Sequence, residues 1–210
     1  MNRTPSVTSR RQALSWVAAL AAPAIAIDLR AQERLRATPA QAEGPFYPPE
    51  LPADTDFDLL VQGPARYTQG VATRVEGSVR DTAGRPLRDA VVEIWQCDQQ
   101  GHYRHPADGG RADPAFQGYG RVVADADGGY RFRTIRPAPY SGRTPHIHFK
   151  VRLGTRELLT TQLYVAGDPG NPRDGLWRRL SEADRAAVTV PFVAGTAAEL
   201  QARFDIVVAA

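Results

Sequence analysis

From residue 71 onward the chain reads as short runs in which apolar and polar positions alternate, each run closed by Gly, Asp or Pro. "VATRVEGSVRD" (71–81) meets the turn "TAGRP" and continues as "DAVVEIWQCD" (89–98). "GRVVAD" (120–125) meets "ADGG" and continues as "YRFRTI" (130–135). "HIHFKVRL" (146–153) meets "GTR" and continues as "ELLTTQLYV" (157–165), and "RFDIVVA" (203–209) forms a last run. The runs are rich in β-branched and aromatic residues and bounded by turn formers, which is the pattern of strands half buried on one face. Several in succession predict an all-β fold, an antiparallel β-sandwich. One short C-terminal helix is expected near 181–187, where Ser181 precedes Asp184 in the arrangement of a helix start. Two long irregular segments, 98–120 and 135–145, interrupt the strands, and loops held on a rigid sandwich are where sites are built.

The segment before the strands has a different character. "ATPAQAEGPFYPPELPADTD" (37–56) is rich in Pro and Ala, so residues 32–70 are expected to form an extended arm rather than a helix. At the N-terminus, "TSRRQAL" is followed by "WVAALAAPAIAI" (16–27). A basic stretch, about a dozen apolar residues and then small ones read as an export signal, too short to remain as a spanning helix. The paired Arg10 and Arg11 point to the twin-arginine kind. Residues 1–31 are therefore expected to be a signal cut after Ala26 or Ala31, with 71–210 as the sandwich domain. The product would be periplasmic or secreted, with no stable membrane anchor once the signal is removed.

Charge changes the picture little. Removing the four arginines and one aspartate of residues 1–31 from the 26 basic and 23 acidic residues leaves 22 of each. The net charge of +3 thus belongs to the N-terminus, and no basic stripe invites nucleic acid. The single cysteine, Cys97, forbids an intrachain disulfide and sits in an apolar run, where an inert buried thiol is expected. The sandwich edges and the arm are the places where a homodimer would form.

The chemistry concentrates in "GRTPHIHFKV" (142–151). On a strand His146 and His148 face one way while Ile147 and Phe149 face the other. The apolar pair reads as the core face, which leaves two imidazoles together on the second face. The two irregular segments add Tyr103 in "GHYRHP" and Tyr140 in "APYSGR". Two phenols and two imidazoles make an N2O2 donor set. Phenolate is a hard anionic donor suited to ferric iron, whereas zinc sites favour His, Cys and carboxylate.

In these residues the sequence resembles a known family. "YRHP", "DPAFQGYGR", "DGGYRFRTIRPAPY", "GRTPHIHF" and "TQLYVAGDP" look like the intradiol ring-cleavage dioxygenases, and "AEGPFYPP" resembles the opening of that family's catalytic domain. The likeness runs in order from about residue 43 to 165. It implies one Fe(III) per chain, held by Tyr103, Tyr140, His146 and His148, with Tyr140 the axial ligand that leaves when substrate binds and His148 opposite it. It implies active-site roles for Arg143 and Gln162. The expected reaction cleaves a catechol-type aromatic ring between its two hydroxyl-bearing carbons with O2, giving a muconate-type diacid. Tyr47 on the arm is expected to line the substrate pocket. His102 and His105, flanking Tyr103, read as loop histidines.

The pattern departs from the family in two places. Only Ser141 and Gly142 separate Tyr140 from Arg143, where the protocatechuate and catechol enzymes generally carry a longer insertion, and the N-terminal helical segment of the catechol enzymes is missing. The short connection suggests a more open site and a bulkier substrate than catechol. The main competing reading is a secreted, non-catalytic β-sandwich binding module of transthyretin or carboxypeptidase-regulatory type, suggested by "VEGSVRDTAGRPLRDAVVEIW" with "DADGGYRF". Such a module has no reason to keep the Tyr/Tyr/His/His set. A hydrolase or zinc enzyme is less well supported, since the chain has no His-Glu-x-x-His.

Overall fold

The computed structural model describes residue 1 and residues 34–209. Apart from residue 1, the expected export signal and both of its expected cleavage points lie outside the described residues. The strands are β1 (Val61–Gln62), β2 (Ala65–Arg66), β3 (Ala72–Asp81), β4 (Val91–Trp95), β5 (Tyr119–Val123), β6 (Gly129–Ile135), β7 (His146–Leu153) and β8 (Arg156–Val165). They are followed by helix α1 (Glu182–Val188) and strands β9 (Thr189–Val190), β10 (Val193–Ala194), β11 (Leu200–Arg203) and β12 (Ile206–Val208).

One sheet has the order β5-β4-β7-β8-β9. A second is built on β3, which pairs with β6 on one edge and with β11 and then β12 on the other, with β10 outside β11, and β1 and β2 form a small two-stranded sheet. Val75, Val79, Val92, Ile94, Phe132, Ile147, Phe149, Val151, Phe204 and Ile206 form the buried core. Each burial is worth about 1.5–3 kcal/mol, which is why the two-residue alternation dictates which face turns inward.

The long ladders β3–β6, β4–β5, β4–β7 and β7–β8 are antiparallel, as the alternation predicts. Three of the shorter pairings are parallel, while β10–β11 and β1–β2 keep the antiparallel sense. β9 runs parallel to β8, and β11 and β12 run parallel to β3. The β8–β9 connection is long enough for a parallel return because it carries α1. The run "RFDIVVA" is also two strands rather than one. The Phe204 carbonyl comes so close to Gly77 that a Cβ there would lie 1.9 Å from it. The Asp205 carboxylate then takes the backbone's place, accepting from the Ser78 N–H and hydroxyl at 2.9 Å each. Helix α1 begins as read, with the Ser181 hydroxyl accepting from the Asp184 N–H at 3.1 Å.

The outer face of β7 and β8 is covered as well. Residues 34–57 carry no helix or strand, and part of this arm lies along the sheet. Gln41 N–H donates to the Thr160 carbonyl at 2.8 Å, the Gln41 amide donates to the Gln162 carbonyl at 3.0 Å, and the Gln162 side-chain amide donates to the Ala42 carbonyl at 2.9 Å. Lys150, the only lysine in the chain, is buried beneath the arm, where it pairs with Glu43 and Glu157 and lies over the Tyr47 ring. Under this cover sits a second, aromatic cluster: Trp95, Cys97, Tyr103, Tyr119 and Ala138, with Phe46, Tyr47 and Tyr140 packed against it.

Candidate metal centre

His146 and His148 stand on the arm side of β7, opposite Ile147 and Phe149, and both are buried. Their neighbours follow from strand register. His148 is paired with Trp95 on β4 and with Gln162 on β8, and His146 with Tyr164. The Trp95 indole stacks on the His148 ring, centroids 4.7 Å apart and planes 10° from parallel.

Tyr103 reaches the site from the 98–120 segment, which carboxylates hold in shape. Asp98 accepts from the Gln100 and His102 N–H groups at 2.9 Å each and from Asp113 N–H at 2.8 Å. Asp108 accepts from the Tyr103 N–H at 2.8 Å. Neither flanking histidine joins the donor set. His105 accepts from the Ala107 N–H at 3.0 Å, capping a turn of 3-10 helix, and His102 Nδ1 lies 3.4 Å from Asp108. Phe46 from the arm stacks on Tyr103 at 4.5 Å.

Tyr140 is placed by a turn. Ser141 (φ 39°) and Gly142 (φ 77°) are both left-handed, and Arg143 N–H closes the turn on the Tyr140 carbonyl at 2.7 Å. Two consecutive positive φ values define a type I′ turn, which sets its flanking residues side by side. Tyr140 and Arg143 are those flanking residues.

The four expected donors form a closed ring of contacts. Centroid separations are 5.0 Å for Tyr103–Tyr140, 5.5 Å for Tyr140–His146, 4.8 Å for His146–His148 and 6.0 Å for Tyr103–His148. The two Nε2 atoms are 3.2 Å apart. His146 Nδ1 lies 2.6 Å from the Thr144 carbonyl, which can only accept. Nδ1 therefore carries the proton, and the Nε2 lone pair points into the ring of donors. Burial pushes His146 down to about 4, helped by the Arg143 charge, and holds His148 well below the ordinary range, helped by His146 and Arg143. Both are thus neutral imidazoles, the ligating form.

Burial raises both phenols, Tyr103 strongly, while Arg143 opposes the rise at Tyr140. Tyr103 Oη is buried without a hydrogen-bond partner among the described residues. An orphaned phenol beside two inward-facing imidazoles is the arrangement a strongly polarising cation would complete. Among the described residues no three His, Cys, Asp or Glu side chains gather as a rival metal site. The residues present fit ferric iron.

Arg143 and Gln162 are also brought here. Arg143 Nη2 donates to Gln162 Oε1 at 2.7 Å, and Tyr164 Oη donates to the same oxygen at 3.1 Å. Behind them is Asp174, which the sequence reading missed. It accepts from Arg143 Nε at 2.7 Å, Thr144 N–H at 3.0 Å, and the Leu176 and Trp177 N–H groups at 2.9 and 3.0 Å. Trp95 was missed too, although the alternation Val92, Ile94 inward and Glu93, Trp95 outward would have placed it. Tyr47, expected to line the substrate pocket, packs with the aromatic cluster beside the donors. It stands against Trp95 and donates to Glu93 at 2.9 Å, and Phe46 is the arm residue that meets the donor rings. Burial pushes the Cys97 thiol up to about 12, which leaves it inert.

A family model described as Dioxygenase matches residues 42–210. With this fold and this donor set, the chain belongs to the intradiol ring-cleavage dioxygenases. It is 36% identical over 193 residues to the protocatechuate 3,4-dioxygenase beta chain of Burkholderia cepacia, covering 84% of this chain and 79% of that one. It is 33% identical over 152 residues to a catechol 1,2-dioxygenase of Candida albicans, covering 64% of this chain but only 49% of the relative. The chain thus spans about half the length of this catechol relative. Among solved structures, the dioxygenase domain of a dioxygenase–carbohydrate-binding fusion from Streptomyces sp. SirexAA-E superposes with a TM-score of 0.65 at 32% identity, covering 82% of this chain and 97% of that one. The binding-module reading is not favoured.

Proposed function

We propose that the protein cleaves a catechol-type ring between its two hydroxyl-bearing carbons, placing both atoms of O2 in the two carboxyl groups of a muconate-type diacid. The observation that carries this reading is the closed ring of Tyr103, Tyr140, His146 and His148 with its inward Nε2 atoms and unpaired Tyr103 hydroxyl.

Tyr103, Tyr140, His146 and His148 would hold one Fe(III) per chain, and the ion would supply the Lewis-acid and redox chemistry that ring cleavage by O2 needs. The rest falls to the chain. Tyr140, the donor on a two-residue turn and the least buried of the four, is the one that can swing out, and its phenolate oxygen can take a proton from an arriving catechol hydroxyl. Tyr103, clamped by Phe46 and the 98–120 segment, stays in place. Arg143, fixed by Asp174 and Gln162, offers fixed positive charge where negative charge builds on the ring oxygens. The arm and Trp95 exclude water from the histidine side.

The twin-arginine sequence supports export of the folded protein to the periplasm, and the outermost strand β10, with Val193 exposed, would give a homodimer an edge to pair on. Fractionation of cells producing wild type and Arg10→Lys/Arg11→Lys tests the first, and sedimentation of the purified protein the second.

The deciding experiment is a visible spectrum with iron analysis, followed by anaerobic addition of catechol. A coloured protein with near one iron per chain and a band that shifts with catechol is expected. A protein that stays colourless and iron-free after reconstitution overturns the reading.

A further inference from the structure

The surface beside the Tyr140–Arg143 turn is hollow. A cavity of about 590 Å³ lies there, bounded on its inner side by Tyr140 and Arg143. That volume is in the range of small-molecule sites and exceeds what a bare catechol ring fills. Pro139 and Pro145 contribute apolar wall, and Arg136 and Arg173 contribute two further guanidinium groups.

The charge of this lining is one-sided. It holds three arginines and a single carboxylate, Asp168. Asp168 is already engaged: one oxygen accepts from Thr144 Oγ1 at 3.2 Å and Gly170 N–H at 2.8 Å, and the other lies 3.5 Å from Arg136 Nη2. Arg173 is exposed and makes no ion pair with any described residue. By contrast, the hollow of about 320 Å³ on the Phe46 and Tyr103 side carries Arg104 against Glu50 and so no net charge. Of these two cavities, the one by the turn carries the excess of positive charge.

We infer that this cavity receives an anionic arm of the substrate. The ring sits against Tyr140 and Arg143, and a carboxylate on a short side chain reaches Arg173 and Arg136. The preferred substrates are then ortho-diphenols bearing a carboxylate-ended chain rather than plain catechol. The inference rests on the ring-cleavage reading and adds the substrate class to it. The two-residue turn is what makes it feasible, because a longer connection would stand in the path of the arm.

The test uses the iron-loaded full chain with 3-(3,4-dihydroxyphenyl)propionate and its methyl ester. Wild type is expected to prefer the acid over the ester by about tenfold in kcat/KM, the effect of one charge-assisted contact. In Arg173→Gln, and further in Arg136→Gln/Arg173→Gln, that ratio falls toward one. In parallel, calorimetry follows binding of 3-(4-hydroxyphenyl)propionate, a monophenol, against its methyl ester. The acid is expected to bind more tightly, and the difference to shrink with added salt and in Arg173→Gln. Equal constants for acid and ester in wild type, or an acid preference that survives both substitutions, overturn the inference. Failure of the iron-loaded protein to cleave any ortho-diphenol would defeat the ring-cleavage reading instead, while the calorimetric comparison still decides whether the cavity selects an anion.

Discussion

The Trp95 indole lies flat on the His148 imidazole, 4.7 Å between centroids and 10° from parallel, because β4 and β7 pair these residues directly across the ladder. His148 Nδ1 is buried with no hydrogen-bond partner among the described residues, so the stack on Trp95 takes the part in orienting this ring that a hydrogen bond at Nδ1 would play. Trp95→Ala is therefore expected to lower iron affinity by roughly ten- to a hundredfold, the usual effect of losing a ligand's support. Trp95→Phe, which keeps a stacking face, should retain the metal. Iron titration followed by the visible band checks both.

Asp174 gathers Arg143 and three backbone N–H groups on one buried carboxylate. Asp174→Asn is expected to reduce kcat/KM by about ten- to a hundredfold, mainly through kcat, because Arg143 loses its fixed orientation. The same substitution should lower the melting temperature. A change in melting temperature with kinetics intact would show that Asp174 holds the loop and nothing more. Arg143→Lys should not restore activity, since an ammonium cannot contact Asp174 and Gln162 with one planar group.

In the metal-free protein, His146 has a folded pKa of about 4, below the 6.5 of a free imidazole. Between those values the unfolded chain binds the extra proton, so stability falls as the pH drops from about 6.5 to 4. The loss attributable to His146 is about 3 kcal/mol and levels off below pH 4. Urea unfolding of metal-free wild type across this range should show the decline, and His146→Asn should flatten it.

Lys150 binds the arm to the sheet through Glu43, with Glu157 on its other side. Both carboxylates are partly exposed, so the latch is worth about 1 kcal/mol. Lys150→Met is expected to speed amide exchange at Gln41, whose N–H is bonded to Thr160, by about fivefold. Exchange at Ile147, in the core, should be unchanged.

Much of this architecture was legible in the chain itself. "HIHFKVRL" alternates without exception, and the strand runs from His146 to Leu153 with the faces that alternation demands. The four residues Tyr103, Tyr140, His146 and His148 stood out because tyrosine and histidine are uncommon enough here, and ordered enough, to resemble one family, and their rings do come together. Asp174 was not, since its partners Arg143 and Thr144 lie about thirty residues away and nothing in "NPRDGLW" marks a buried carboxylate. Tyr47 and Phe46 are adjacent, and only the path of the arm decides which of them faces the donors. The split of the last strand depends on one backbone oxygen passing over Gly77, a packing detail with no local signature.

The arm has a further consequence for how the centre comes into being. Its Gln41 and Ala42 contacts are with Thr160 and Gln162, some 120 positions further along the chain. During synthesis residues 34–47 emerge long before the strand they must lie on exists. Tyr103 has no arm-side cover, and β7 and β8 no outer layer, until that strand is complete. The pocket between Tyr103, Tyr140, His146 and His148 is thus among the last parts of the molecule to close, and anything that must enter it has its widest access in the interval before the arm docks.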